Sequence, residues 1–196
     1  MSTTTAIVPR RFFLAWLFAA PVLWYFAKSF AATLEPTPTC GDSGTTPAQT
    51  PGPFFKPRSP ERQSLRESGM DGTPIVIEGY VRSTRGKPVA GALVDFWQAD
   101  AKGNYDNEGF RLRGHQFTDD SGRYRLDTIV PGLYPGRTRH FHVRVQPPSR
   151  RVLTTQLYFP GEPGNKSDGI FNPKLLLELR ESGGKTGRFD FVVETA

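Results

Sequence analysis

One cysteine, Cys40, occurs in 196 residues, so the chain can form no intrachain disulfide. Its core must close by burial of apolar surface, which a chain of this length with 37% hydrophobic residues supplies as one ordinary domain plus extras. No dense Lys/Arg cluster with interleaved aromatics is present, so the net charge of +6 does not indicate a nucleic-acid partner. There is no dinucleotide fingerprint, no internal repeat and only one helical candidate. Histidine is nearly as scarce as cysteine, with three in the chain.

The first 32 residues have the layout of an export signal. Arg10 and Arg11 precede an apolar run from Phe12 to Ala27, and Lys28 interrupts it before the small residues Ser29, Ala31 and Ala32. The arginine pair followed by Phe12, Phe13 and Leu14 resembles a twin-arginine signal, although Pro9 stands where that pattern usually has Ser or Thr. The alternative is an uncleaved membrane anchor: about 20 apolar residues span a bilayer, and residues 12–32 come close if Lys28 is tolerated. The expectation is an exported protein, periplasmic or extracellular, with membrane contact only if this segment is retained. Removing residues 1–31 leaves 22 basic residues against 19 acidic ones, so the net charge falls from +6 to +3. Cys40 lies too far past the apolar run for a lipid-attachment site and reads as an exposed thiol in a linker.

Pro, Thr, Gly and Ser dominate residues 33–60 and predict an irregular arm, taken over 33–72, leading into a domain over 73–196. Short β-prone runs follow: Ile75 to Val81, Ala92 to Gln98, Arg123 to Asp127, Arg139 to Gln146, Leu153 to Phe159 and Arg188 to Val193. Asp119-Asp120-Ser121-Gly122 reads as a hairpin turn, with Gly122 supplying positive φ. The helical candidate is Pro173 to Arg180, with Asn172 as N-cap and Pro173 at the first position. The expected fold is therefore all-β, an antiparallel β-sandwich with one short C-terminal helix.

The most informative stretch is Arg139-His140-Phe141-His142-Val143-Arg144-Val145. As a strand it points Phe141, Val143 and Val145 to one face and His140 and His142 to the other, where two imidazoles converge. Alone, such a pair also fits polar, solvent-facing strand positions. Two phenols stand nearby in loops, Tyr105 in Gly103-Asn104-Tyr105-Asp106 and Tyr134 in Pro131-Gly132-Leu133-Tyr134-Pro135-Gly136, though a tyrosine in a sandwich is most often packing. A phenol titrates near 10, so binding as phenolate needs a hard, highly charged cation such as iron(III). Zinc prefers Cys, His and carboxylate, and iron(II) oxygenases two histidines and a carboxylate. No acid sits within the His-x-His segment.

Further motifs complete the pattern: Val89-Ala90-Gly91-Ala92-Leu93-Val94-Asp95-Phe96-Trp97-Gln98-Ala99-Asp100, Arg113-Gly114-His115, Thr118-Asp119-Asp120-Ser121-Gly122-Arg123-Tyr124, and Thr155-Gln156-Leu157-Tyr158-Phe159. Together with Thr46 to Phe55 and the segments above, they make residues 50–193 resemble the intradiol ring-cleavage dioxygenases, which include catechol 1,2-dioxygenase and protocatechuate 3,4-dioxygenase. The resemblance implies an iron(III) cofactor held by Tyr105, Tyr134, His140 and His142. It implies that Tyr134 is released when substrate chelates the metal while Tyr105 stays. Arg137 matches the arginine that balances charge on the bound ring, and Gln156 a polar residue that orients substrate and oxygen. The implied partners are a catechol-type small molecule and O2, and the implied product is a cis,cis-muconate-type diacid, formed without external reductant. Two departures stand out: the loop from Tyr134 to His140 is short, and the helical domain that supports dimerisation in catechol-type members has no counterpart here. A homo-oligomer is left open.

Two competing readings remain at this stage. One is a non-catalytic secreted sandwich that binds ligands with Tyr105 and Tyr134 as stacking surfaces. The other is a divalent-metal hydrolase or cupin-like oxygenase using His140 and His142 with Asp106 or Asp127 as third ligand. His115 reads as a structural hydrogen-bonding residue.

Overall fold

Alternating apolar residues build nine strands in the computed structural model, which describes residues 44–181 and 184–195. The expected export signal over 1–32 and Cys40 lie outside the described residues. The strands are β1 (Pro74–Ser83), β2 (Leu93–Trp97), β3 (Arg113–Phe117), β4 (Arg123–Ile129), β5 (His140–Gln146), β6 (Leu153–Tyr158), β7 (Glu178–Arg180), β8 (Thr186–Arg188) and β9 (Phe191–Val193). One sheet has the order β3-β2-β5-β6, with every pair antiparallel. The other has the order β4-β1-β8-β7, and β9 also pairs with β1. Ile75, Ile77, Val81, Tyr124 and Leu126 from this second sheet meet Val94, Phe96, Phe141, Val143, Val145 and Leu157 from the first, all essentially without solvent exposure. Each such side chain contributes about 1.5–3 kcal/mol by leaving water.

The sandwich is mixed rather than wholly antiparallel, because β8 and β9 both run parallel to β1. The ten residues of β1 host the two short strands end to end, β8 beside Val76–Glu78 and β9 beside Val81–Ser83. Between them Gly79 makes room for the chain, since a Cβ there would lie 1.8 Å from the Phe189 carbonyl oxygen. Phe189 N donates to Glu78 O, and Tyr80 N donates to the Asp190 carboxylate, so the interruption is hydrogen-bonded on both sides.

Three further expectations need correction. The helix over Pro173 to Arg180 is a single 3-10 turn, Pro173–Leu175, followed by β7. Asn172 does cap that turn, accepting from Lys174 N at 3.0 Å. The leucines at 175 and 177 are both buried, however, which is the period of an extended chain. The turn at Asp119 to Gly122 forms, with Gly122 at φ +78 and the Asp119 carboxylate accepting from Ser121 N and Arg123 N. It is not a hairpin, because β3 and β4 lie in different sheets. Finally β3, Arg-Gly-His-Gln-Phe, was not anticipated, as it lacks apolar alternation.

The arm carries no strand from 44 to 60 yet is bound along the sandwich. Thr46 N donates to Val192 O, Gln49 N to Thr154 O, Arg62 N to His115 O and Leu65 N to Asp127 O, at 2.8–2.9 Å. Leu65 is fully buried in the core. Among the described residues no helix is long and apolar enough to cross a membrane.

Candidate metal centre

The alternation of β5 sends Phe141, Val143 and Val145 into the core and His140 and His142 to the opposite face, where they are nonetheless only 4% and 2% exposed. Neighbouring strands supply part of that cover: β6 sets Tyr158 across from His140 and Gln156 across from His142, and β2 sets Trp97 across from His142. The Trp97 and His142 rings stack at 4.9 Å and 4°. The arm supplies the rest. Gly52, at φ +67, passes so close that a Cβ would lie 3.1 Å from His142 Cε1.

The two Nε2 atoms are 3.1 Å apart. Nitrogens at that separation fit adjacent corners around one metal with bonds of about 2.1 Å. Nδ1 of His140 lies 2.6 Å from the Thr138 carbonyl oxygen, which can only accept, so Nδ1 holds the proton and Nε2 keeps its lone pair. Nδ1 of His142 is buried without a partner, so that ring's polar function is exercised at Nε2 in the space the imidazoles share. Burial pushes the His140 imidazolium down to about 4 and His142 well below its ordinary value, the latter helped by His140 itself. Both rings are therefore neutral donors at neutral pH.

The phenols come from two loops packed back to back. Gly103, at φ +88, allows the approach, since a Cβ there would lie 2.1 Å from Leu133 O, and a Cβ on Gly132 would lie 2.4 Å from Gly103 N. Gly132 N donates to Asp100 O at 2.7 Å, and the Asp100 carboxylate accepts from Lys102 N and Asn104 N. Buried Arg113 ties the Tyr105 loop to the arm, donating Nε and Nη2 to Asp106 O and Nη1 to Phe54 O. Tyr105 and Tyr134 have ring centroids 5.9 Å apart, Tyr105 and His142 6.1 Å. Burial pushes the Tyr105 phenol up to about 12, so its ionisation near neutrality calls for a strongly charged cation beside it. The structure thus brings together all four residues that the resemblance assigns as ligands.

A carboxylate-completed site finds no support. Among the described residues no group of three or more His, Cys, Asp or Glu is placed to hold a metal. The Asp106 carboxylate is occupied by the backbone N–H groups of Glu108, Gly109 and Arg111. Asp127 stands on β4 of the other sheet and pairs with Arg66 at 3.6 Å. The donor set left for a cation beside the imidazoles is phenolic, which suits iron(III).

Arg137 and Gln156 lie at the same place. Arg137 Nη2 donates to Gln156 Oε1 at 2.6 Å, and Gln156 Nε2 donates to Thr50 O at 3.1 Å. The sequence reading missed what surrounds them. Asp168 accepts from Arg137 Nε at 2.9 Å. Burial alone would raise its carboxyl, but the N–H groups of Thr138 and Ile170 and the Arg137 guanidinium outweigh that and hold it below the usual carboxylate range. Tyr158, at the end of β6, donates its hydroxyl to Gln49 Oε1 at 2.8 Å and stands within reach of Arg137 Nη2. Phe54 stacks on Tyr105 at 4.4 Å and meets Tyr134 edge-on at 5.3 Å. The period-2 spacing of Gln156 and Tyr158 was a usable signal, whereas nothing local marks Asp168. His115 lies apart on β3, its Nδ1 3.2 Å from Ser59 Oγ, which donates to Asp95.

A family model described as Dioxygenase, Dioxygenase_C, matches residues 50–194. The chain belongs to the intradiol ring-cleavage dioxygenase family. It is 31% identical over 176 residues to the 6-chlorohydroxyquinol 1,2-dioxygenase of Cupriavidus pinatubonensis, covering 76% of this chain and 63% of that protein. It is 31% identical over 156 residues to the hydroxyquinol 1,2-dioxygenase of Nocardioides simplex, covering 67% of this chain and 53% of the relative. The chain thus spans under two thirds of either relative. Among solved structures, the dioxygenase domain of a dioxygenase and carbohydrate-binding protein fusion from the cellulolytic bacterium Streptomyces sp. SirexAA-E superposes with a TM-score of 0.76 at 56% identity, over 78% of this chain and all of that one. The 3-chlorocatechol 1,2-dioxygenase of Rhodococcus opacus 1CP gives 0.71 at 28% identity, over 78% and 74%. This family membership accounts for the two-sheet fold.

Proposed function

We propose that the protein is a non-haem iron(III) intradiol dioxygenase, cleaving a catechol-type ring between its hydroxylated carbons with O2 to a cis,cis-muconate-type dicarboxylic acid. The observation that carries this reading is the pair of neutral imidazole nitrogens 3.1 Å apart beside two loop phenols, with no carboxylate among the described residues placed to complete a divalent site. Tyr105, Tyr134, His140 and His142 would hold the metal. When bound, iron(III) acts as a Lewis acid that favours loss of the catechol protons and draws electron density from the ring, making a ring carbon the point of O2 attack.

The rest falls to the protein. Tyr134 follows exposed Leu133 and precedes exposed Pro135 and Gly136, so it is the phenol able to yield its place and accept a catechol proton at Oη. Tyr105 stays, because Gly103, Arg113 and the Phe54 ring fix its loop. Arg137 balances the negative charge of the deprotonated ring. Gln156, held at both ends by Arg137 and Thr50, orients the substrate. Trp97 and the arm at Gly52 keep water from the imidazoles. Both oxygen atoms enter the product, so no reductant is consumed. The arginine pair and apolar run before Ala32 support action after export from the cytoplasm.

The relatives' names make catechols and hydroxyquinols the first substrates to test. Aerobic incubation of the iron-loaded protein with such a panel should consume one O2 per ring and yield the diacid. A protein that binds catechols but takes up no stoichiometric iron and consumes no oxygen would instead be the non-catalytic binding module.

A further inference from the structure

The short loop from Tyr134 to His140 has one internal backbone hydrogen bond, Arg137 N to Tyr134 O, and its Pro135 and Gly136 are exposed. Its shape must come from outside. Besides the Arg139 to Glu162 ion pair, at 2.8 Å, the external contact is a carboxylate that the functional reading above does not use. Asp168 follows the 3-10 turn Pro163–Lys166, and its side chain is 1% exposed. Oδ2 accepts from two donors at once, Arg137 Nε at 2.9 Å and Thr138 N at 3.0 Å. Oδ1 accepts from Ile170 N at 3.1 Å, so both oxygens are engaged and the group cannot swing.

Two lines of contact leave that single oxygen. Along one, the Arg137 guanidinium is turned so that Nη2 reaches Gln156 Oε1, and through Gln156 the arm at Thr50. Along the other, Thr138 is fixed at its N–H and presents its carbonyl to Nδ1 of His140 at 2.6 Å, the contact that sets that ring's tautomer and direction. The Thr138 hydroxyl donates to Asn165 Oδ1 on the same turn, so residues 163–168 grip the loop at two points.

We propose that Asp168 is the positioning residue of the site: its Oδ2 aims the Arg137 guanidinium at the bound ring and, through Thr138, aims the Nε2 lone pair of His140. The proposal rests on the dioxygenase reading and adds a residue that touches neither substrate nor metal. A long, flexible arginine side chain gains its orienting power only when its rotamer is fixed, and a carboxylate on Nε with Gln156 on Nη2 leaves Nη1 to face the substrate.

The test is a double-mutant cycle on the iron-loaded full chain with Asp168→Asn, Arg137→Ala and the combination. Asp168→Asn keeps an oxygen for Thr138 N but loses the charge partner of Nε. The readouts are the anaerobic dissociation constant of catechol from the visible band, kcat and KM for ring opening, and the melting temperature. Asp168→Asn should weaken catechol binding about tenfold in the wild-type background and less than twofold in the Arg137→Ala background, as expected for groups in one hydrogen-bond network. Asp168→Glu, which keeps the charge but displaces it by one methylene, should not restore binding. Equal weakening in both backgrounds, or a lowered melting temperature with unchanged binding, would overturn the proposal. Failure of both Asp168 variants to fold would assign the residue to the fold alone and overturn it as well. A wild type that neither binds catechol nor opens it would sink the functional reading and this inference with it, whereas a competent wild type with additive variants sinks only the inference.

Discussion

Phe141, Val143 and Val145 on one face of β5 and His140 and His142 on the other are buried alike, but by different partners. The first face meets the opposite sheet, as in any sandwich. The second meets Trp97 and an irregular arm threaded past it at Thr50 to Phe55. The apolar face gains stability from that burial, whereas the imidazole face loses the option of charge and is left as a pair of lone pairs. One strand thus separates holding the fold from the proposed task of holding a cation.

Three experiments break or sharpen this contrast. The largest effect is expected on the imidazole side: His142→Ala should abolish both the visible colour and ring opening, read by absorbance and diacid formation, while the protein still folds. On the apolar side, Phe141→Ala should lower the unfolding free energy by about 3–5 kcal/mol in denaturant titrations and leave colour in the molecules that remain folded. If Phe141→Ala removed colour as completely as His142→Ala at equal folding, the two faces would not be separable. The smallest effect concerns pH. Burial holds His140 at about 4 against an ordinary 6.5, so the unfolded chain takes up a proton that the folded one refuses. Stability of the metal-free protein should therefore be full above pH 6.5 and fall as pH is lowered from 6.5 to 4. Melting curves across that window in wild type and His140→Gln measure it, and a flat wild-type profile would contradict the burial argument.

The core face of β5 was legible in the sequence because period-2 alternation states it directly, and the grouping of Tyr105, Tyr134, His140 and His142 because their spacing follows a family pattern. What could not be read were relations between distant segments. Asp168 meets Arg137 across 31 residues, with no local pattern to announce it. β3 was missed because Arg113, Gly114, His115 and Gln116 offer no apolar alternation, and it forms by pairing with β2. The parallel strands β8 and β9 depend on a gap that Gly79 opens in β1, which only the assembled sheet reveals. The C-terminal helix was read from a genuine cap at Asn172, but the cap starts a single turn and the buried leucines at 175 and 177 then impose extended chain.

The most direct measurement is the visible spectrum of the full chain loaded with one ferric ion per molecule, compared with Tyr105→Phe and Tyr134→Phe. Tyrosinate bound to iron(III) should give a reddish charge-transfer band in the wild type that weakens or shifts in each variant. A colourless wild type carrying its full complement of iron would contradict the proposed phenolate and imidazole centre.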